Sequence, residues 1–214
     1  MYEVIRASRE ELEEKLVELF LESAERSIED KGKFICGLAG GSSPAGVYRK
    51  LRDRFRRWNK SLFFPTDERY VSSDDPRSNY RFIRNSLGEQ AHLYRVRTEL
   101  PIKRACEEFG KVLEKEEKLD LIILGLGEDG HTASLFPDTE CIACHENSCI
   151  SLSPDGLKRI SMSLEFINLS RETLFFVVGE KKLRALTSLL NGEPIPASRV
   201  KNERGIKVFT DLPL

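Results

Sequence analysis

Phe34-Ile35-Cys36-Gly37-Leu38-Ala39-Gly40-Gly41-Ser42-Ser43-Pro44 is the stretch on which the fold turns. Its first five residues form an apolar run of strand length. Two glycines then interrupt it, and Val47, Leu51 and Phe55 follow at helical spacing. Ser43 suits a helix N-cap and Pro44 the first helical position. The order is strand, tight glycine turn, helix.

The same alternation extends to either side. From Ser8 to Ile28, residues Leu12, Leu16, Leu19, Phe20, Ala24 and Ile28 mark the apolar face of an amphipathic helix. Leu62 to Phe64 reads as a strand ending at Thr66-Asp67-Glu68-Arg69, and Ser78 caps a helix through Tyr80, Ile83 and Leu87. The spacing of Ile102, Ala105, Phe109 and Leu113 predicts a helix over 102–117. Leu119 to Leu124 is nearly continuous in apolar character, as a strand covered on both faces should be. Further strands are expected at 160–164, 173–178 and 207–210, with a helix over 181–190. Strands alternating with helices mean an α/β fold with a mainly parallel sheet. With no Gly/Ser/Pro-rich linker and no internal repeat, residues 1–214 are expected to form a single domain. Ligands bind beyond the carboxyl ends of such strands. Three polar strand ends, 40–43, 67–69 and 125–131, should therefore meet in one cleft.

Composition narrows the function. The chain carries 34 basic and 35 acidic residues in 214, a net charge of −1, so no broad basic field invites nucleic acid. No apolar run approaches the roughly 20 residues of a membrane span. The start, residues 1–16, lacks the basic-then-apolar order of a signal peptide. A cytoplasmic protein is expected, with no membrane partner. Five cysteines in no disulfide-framework spacing are expected to be reduced thiols. Gln90 is the only glutamine and 32 % of residues are charged, a hint of a heat-adapted source that the cysteines oppose.

Gly40-Gly41-Ser42-Ser43 has the makings of an anion cradle: the glycines let backbone N–H groups approach a ligand, and a helix N-terminus adds unpaired donors. It is equally a tight connection that binds nothing. Asp67-Glu68-Arg69 sets three charges at a strand end, where Arg69 can grip a phosphate or carboxylate with its planar fork. Asp67 could take part in proton transfer or orient another group; a solvated loop is the bland alternative. Gly125-Leu126-Gly127-Glu128-Asp129-Gly130-His131 matches G-x-G-x-x-G after a strand. A dinucleotide site needs a long helix at once, but His131 stands where it should begin and Pro137 arrives too soon. NAD is rejected on those grounds. What remains is a glycine loop presenting a histidine, the side chain whose ordinary pKa suits a general base near neutrality, or a histidine that only packs the turn.

Cys141-Ile142-Ala143-Cys144-His145 matches the c-type haem attachment pattern. Haem attachment would require export and a chain organised around the cofactor, so it is set aside. Zinc on Cys141, Cys144, His145 and Cys149 is chemically proper, but a variable surface loop is the favoured reading of this segment. No metal is expected.

Taken together, these motifs resemble the glucosamine-6-phosphate isomerase/6-phosphogluconolactonase family. The resemblance rests on 38–44, then Asp67-Glu68-Arg69-Tyr70-Val71, Ser78-Asn79-Tyr80 and, most specifically, Asp129-Gly130-His131-Thr132-Ala133-Ser134-Leu135-Phe136-Pro137. Arg159 to Ser163, Ile167-Asn168 and Gly179 to Lys182 fit later blocks. It implies a Rossmann-like open α/β/α sandwich and hydrolysis of 6-phosphogluconolactone to 6-phosphogluconate in the oxidative pentose phosphate pathway, without metal or organic cofactor. It implies His131 as general base, aided by Asp129. It also implies a substrate site from Gly40, Gly41, Ser42, Asp67, Arg69, Gly127 and Lys181, with Arg159 a further contributor. The partner is then a small phosphosugar lactone, and the assembly a monomer or small homo-oligomer.

Ser43 stands where the family has Thr, and the cysteine-rich 138–150 segment matches nothing in it. The isomerase branch carries Asn-Glu-Pro where this chain has Leu135-Phe136-Pro137. Phe136 cannot titrate, so that proton relay lacks a member. A non-catalytic sugar-phosphate sensor is the rival from another class; such regulators can carry a related domain attached to a DNA-binding helix-turn-helix, and with charge balanced no such module is expected here.

Overall fold

The computed structural model describes residues 1–137 and 139–213. In chain order the elements are β1 (Tyr2–Arg6), α1 (Arg9–Lys31), β2 (Phe34–Leu38), α2 (Ala45–Arg54), β3 (Ser61–Pro65), β4 (Asp67–Arg69), α3 (Asn79–Leu87), α4 (Ile102–Glu116), β5 (Leu121–Leu124), β6 (Ser148–Leu152), β7 (Lys158–Met162), α5 (Leu164–Asn168), β8 (Glu172–Val177), α6 (Leu183–Leu190) and β9 (Ile206–Thr210). Six strands form a wholly parallel sheet in the order β1-β9-β8-β5-β2-β3.

Alternation along the strands divides the core in two. Ile35, Phe64, Ile122, Leu124, Phe175 and Val177 face α4, α5 and α6. Phe34, Cys36, Phe63, Leu121, Ile123 and Phe176 face α1, α2 and α3. Both faces are covered, which is why these strands read as apolar runs. The chain leaves β2 for β3 on one side, then returns to lay β5 on the other. The gap beyond the ends of β2 and β5 is therefore the topological switch point, where a crevice opens.

Local signals account for the boundaries. Ser8 and Glu11 form a reciprocal capping box at the start of α1. Ser78 caps α3 by accepting from the Arg81 N–H. At α2 the reading needs correction: Pro44 is the N-cap and the helix begins at Ala45, without a side-chain cap. The Ser43 hydroxyl is thereby left for the crevice. The helix expected from residue 181 begins at Leu183, preceded by a 3-10 turn over 180–182.

A second, antiparallel sheet of order β4-β7-β6 was not foreseen as a sheet. β4 has three residues and β6 mixes buried and exposed positions, so neither carries a run long enough to announce itself. The expected thiols are also corrected, for Cys141 and Cys149 form a disulfide, leaving Cys36, Cys106 and Cys144 free. The fold brings Cys141 on a 3-10 turn against β6, with Cα atoms 5.4 Å apart, a proximity that spacing alone does not reveal. That pairing removes two of the four ligands considered for zinc. Asp138, the first residue of the unmatched 138–150 segment, and the terminal Leu214 lie outside the described residues. No described helix is long and apolar enough to cross a membrane.

Candidate active site

The ends of β2, β3 and β5 open on a cleft of about 710 Å³ lined by all three polar strand ends. Its floor follows from β2. Between Leu38 and α2 the backbone turns through Gly40 and Gly41, and among the described residues the N–H groups of Gly41, Ser42 and Ser43 donate to no protein acceptor. A Cβ on Gly40 would lie 1.9 Å from Asn79 Oδ1, so only glycine lets the turn pack against the start of α3. The donors and the start of α2 together make an anion-accepting corner.

The second wall is the Asp67-Glu68-Arg69 strand, and its three charges do three different things. Glu68, 2 % exposed, accepts from the N–H groups of Arg69, Asn79 and Tyr80 and from the Ser78 hydroxyl, so it anchors the start of α3. Burial raises its pKa, and the N–H donors only partly offset that. Asp67, also buried, accepts from Ser134 Oγ at 2.6 Å and Asn79 Nδ2 at 3.1 Å. Arg69 donates to the Arg77 carbonyl at 2.6 Å while its Nε is buried with no partner.

Arg69 is directly opposite Arg159 in the β4–β7 ladder. Among the described residues Arg69 makes no ion pair, and Arg159 has only Asp155 at 3.8 Å. Burial first, and then the neighbouring Arg69 charge, lowers the Arg159 pKa. Like charges facing each other across a ladder oppose folding. Such a pair makes physical sense where an anion sits between them.

The third wall is the loop after β5. Gly127 N–H donates to the His131 carbonyl at 2.7 Å and Gly130 N–H to the Gly127 carbonyl at 3.1 Å, folding the loop back on itself. His131 Nδ1 lies 2.5 Å from Asp129 Oδ1, and the same oxygen accepts the His131 backbone N–H at 3.1 Å. Burial works against the Asp129 charge, but the His131 N–H and ring outweigh it and hold the carboxyl below its ordinary pKa. An ionised Asp129 favours the Nδ1–H tautomer and leaves Nε2 as the basic nitrogen. The ring is 31 % exposed, and its other side rests on Phe136 at 4.6 Å between centroids. The imidazole is held, oriented and open to the cleft.

Gly40, Gly41, Ser42, Asp67, Arg69, Gly127, Asp129, His131 and Arg159 all line this one cleft. Lys181 does not: it is exposed on the 3-10 turn, and the neighbouring Lys182 lines the cleft instead. A helical reading from residue 181 could not tell the two lysines apart, because the intervening turn sets which one faces inward. Asn79 and Ser134 were missed as members of the site, although both lie within quoted motifs. Their importance comes from what they touch. His92 and His145 lie outside the cleft lining.

The chain is similar in sequence and in fold to known proteins. A family model described as glucosamine-6-phosphate isomerases/6-phosphogluconolactonase matches residues 7–209. The chain is 36 % identical to 6-phosphogluconolactonase of Thermotoga maritima over 197 residues, 88 % of this chain and 89 % of that protein. It is 31 % identical to the enzyme of the same name from Nostoc sp. over 187 residues, covering 81 % and 78 %. A crystal structure of 6-phosphogluconolactonase from Thermotoga maritima superposes with a TM-score of 0.89 at 32 % identity, covering 98 % of each chain.

Proposed function

The chain belongs to the glucosamine-6-phosphate isomerase/6-phosphogluconolactonase family and hydrolyses 6-phospho-D-glucono-1,5-lactone to 6-phospho-D-gluconate, and from that premise we propose how its residues divide the work. The reaction is a step of the oxidative pentose phosphate pathway. The observation that carries the mechanism is the His131–Asp129 pair facing the same cleft as two arginines without close acidic partners.

The phosphate binds between Arg69 and Arg159, with N–H groups of Gly41 and Ser42 and the Lys182 ammonium completing the anion site. This anchor holds the lactone carbonyl near Nε2 of His131. Nε2 takes a proton from water as the water oxygen bonds to the carbonyl carbon. Donors of the 125–131 loop stabilise the oxyanion that forms. The intermediate collapses by breaking the bond between that carbon and the ring oxygen, which receives the proton from Nε2. Asp129 keeps the imidazole in the productive tautomer throughout and stabilises its charged form. Asp67, engaged by Ser134 and Asn79, orients its neighbours and does not itself move protons.

The expected partner is this small phosphosugar alone, with no nucleic acid and no membrane. We place the enzyme in the cytoplasm as one domain, monomeric or a small homo-oligomer. A disulfide inside cells fits a heat-adapted source, in line with the single glutamine and the high charge.

A coupled assay on freshly generated lactone, corrected for spontaneous ring opening, tests the assignment. His131→Ala should remain folded and lose about 10²-fold or more in kcat. Unchanged turnover would remove His131 from the chemistry.

A further inference from the structure

Among the described residues two hydrogen bonds join the loop that bears His131 to the small sheet that bears the arginines, and both come from Ser134. Its hydroxyl donates to Asp67 Oδ2 at 2.6 Å, and its backbone N–H donates to Ser161 Oγ at 3.2 Å. Ser134, Ser161 and Asp67 are 1 %, 0 % and 7 % exposed. The three side chains are buried, which limits the access of water to their hydrogen bonds.

The register shows what the junction does. Asp67 faces Ser161 in the β4–β7 ladder, and two positions along the same strands Arg69 faces Arg159. Side chains two apart in a strand share a face. One face of this short ladder therefore carries two adjacent pairs. The first grips Ser134, and the second offers positive charge to the cleft. The pairs are separated by two strand rises, about 6.6 Å.

Ser134 is also only three residues from His131. Between them Ala133 has φ +49°, a left-handed conformation that is uncommon outside glycine, so the backbone here is shaped by its attachments and not by preference. The attachments are few. Thr132 Oγ1 donates to the Gly125 carbonyl at 2.8 Å, Leu135 N–H donates to the Thr132 carbonyl at 2.9 Å, and Ser134 makes its two bonds across to the sheet.

We propose that Ser134 is a positioning residue, a latch that sets the distance and direction from the His131 imidazole to the Arg69–Arg159 phosphate clamp. Anchored at its phosphate, the substrate presents its carbonyl at a fixed reach from the arginines, and the base must stand at the same reach. An error near 1 Å in such a placement costs roughly 10²-fold in rate. The latch acts on turnover while leaving each half of the site intact. This rests on the assignment of His131 as base and of the arginines as phosphate anchor.

The test compares Ser134→Ala and Ser161→Ala, which remove opposite halves of the latch, each alone and combined with His131→Ala. Turnover is read by the coupled assay, affinity for 6-phosphogluconate by calorimetry, and folding by thermal melting. The expected result is a kcat at least 10-fold lower in Ser134→Ala, a smaller loss in Ser161→Ala, and product affinity within about 3-fold of the parent protein. In the His131→Ala background the Ser134 substitution should cost little more, since a latch has nothing left to position. If Ser134→Ala melts too early to assay, Ser161→Ala decides by the same criteria. Normal kcat in the folded variants overturns the proposal, as does a loss of equal size with and without His131. If His131→Ala alone keeps full turnover, the base assignment falls instead, so the two failures are distinguishable.

Discussion

Gly127→Ala is the substitution whose consequence can be worked most directly from the geometry. A Cβ on residue 127 would lie 2.1 Å from His131 Nδ1, 2.3 Å from Cε1 and 2.6 Å from Asp129 Oδ1. Ordinary contact begins near 3.4 Å, so the ring must retreat by about 1.3 Å or the loop must deform. Gly127 is not among the glycines with positive φ, so alanine is not forced into a left-handed backbone there, and the close contacts it would make are with the dyad. A displacement of about 1 Å in a reacting group costs on the order of 10²-fold in rate, equivalent to about 2.7 kcal/mol of barrier. The proposed phosphate anchor lies on other elements and should be untouched. Steady-state kinetics on fresh lactone should show kcat down by about 10²-fold, with affinity for 6-phosphogluconate within a few-fold of the parent. A folded Gly127→Ala enzyme with parental kcat would refute the view that His131 acts from the position in which the loop holds it.

Other substitutions probe the remaining parts of the site and the scaffold. Arg69→Ala should raise KM by about 10-fold or more, since a charge-assisted phosphate contact is lost, while kcat changes less; a normal KM would remove Arg69 from the anchor. Asp129→Asn should lower kcat by about 10²–10⁴-fold by permitting the wrong tautomer. Because the folded protein holds the Asp129 carboxyl below its ordinary pKa, its stabilising contribution is present above the unfolded value of about 3.8 and fades as pH falls through the lower folded value. The Asp129→Asn and parent proteins should therefore differ in melting temperature at pH 7 and converge toward pH 3. A gap that widens in acid would reverse the sign. Without reductant, denatured protein should expose three titratable thiols, and five after reduction. Cys141→Ser should cost about 2.5 kcal/mol, the loop-closure value for a separation of 8 residues; chemical denaturation would show it, and five thiols without reductant would deny the bridge.

Much of this protein follows from local rules. Nearly continuous apolar runs at 34–38 and 119–124, with helical spacing between them, point to a parallel sheet with two covered faces, because a strand buried on both sides is apolar along most of its length. The glycine turns that end those strands mark the crevice, and the DGHTASLFP stretch carries the histidine proposed as base. Contacts between distant segments could not be read in this way. Arg69 and Arg159 are 90 positions apart and meet only through the β4–β7 register. Ser134 finds Asp67 across 67 positions. Lys182, and not Lys181, enters the cleft because a 3-10 turn precedes α6. Cys141 and Cys149 bond because a loop folds over β6. Side-chain periodicity encodes which face of an element is buried, a property of neighbours along the chain. Which two buried faces then touch, and in what register, is decided by packing the whole sheet at once, and the distances that make a catalytic site exist only after that packing.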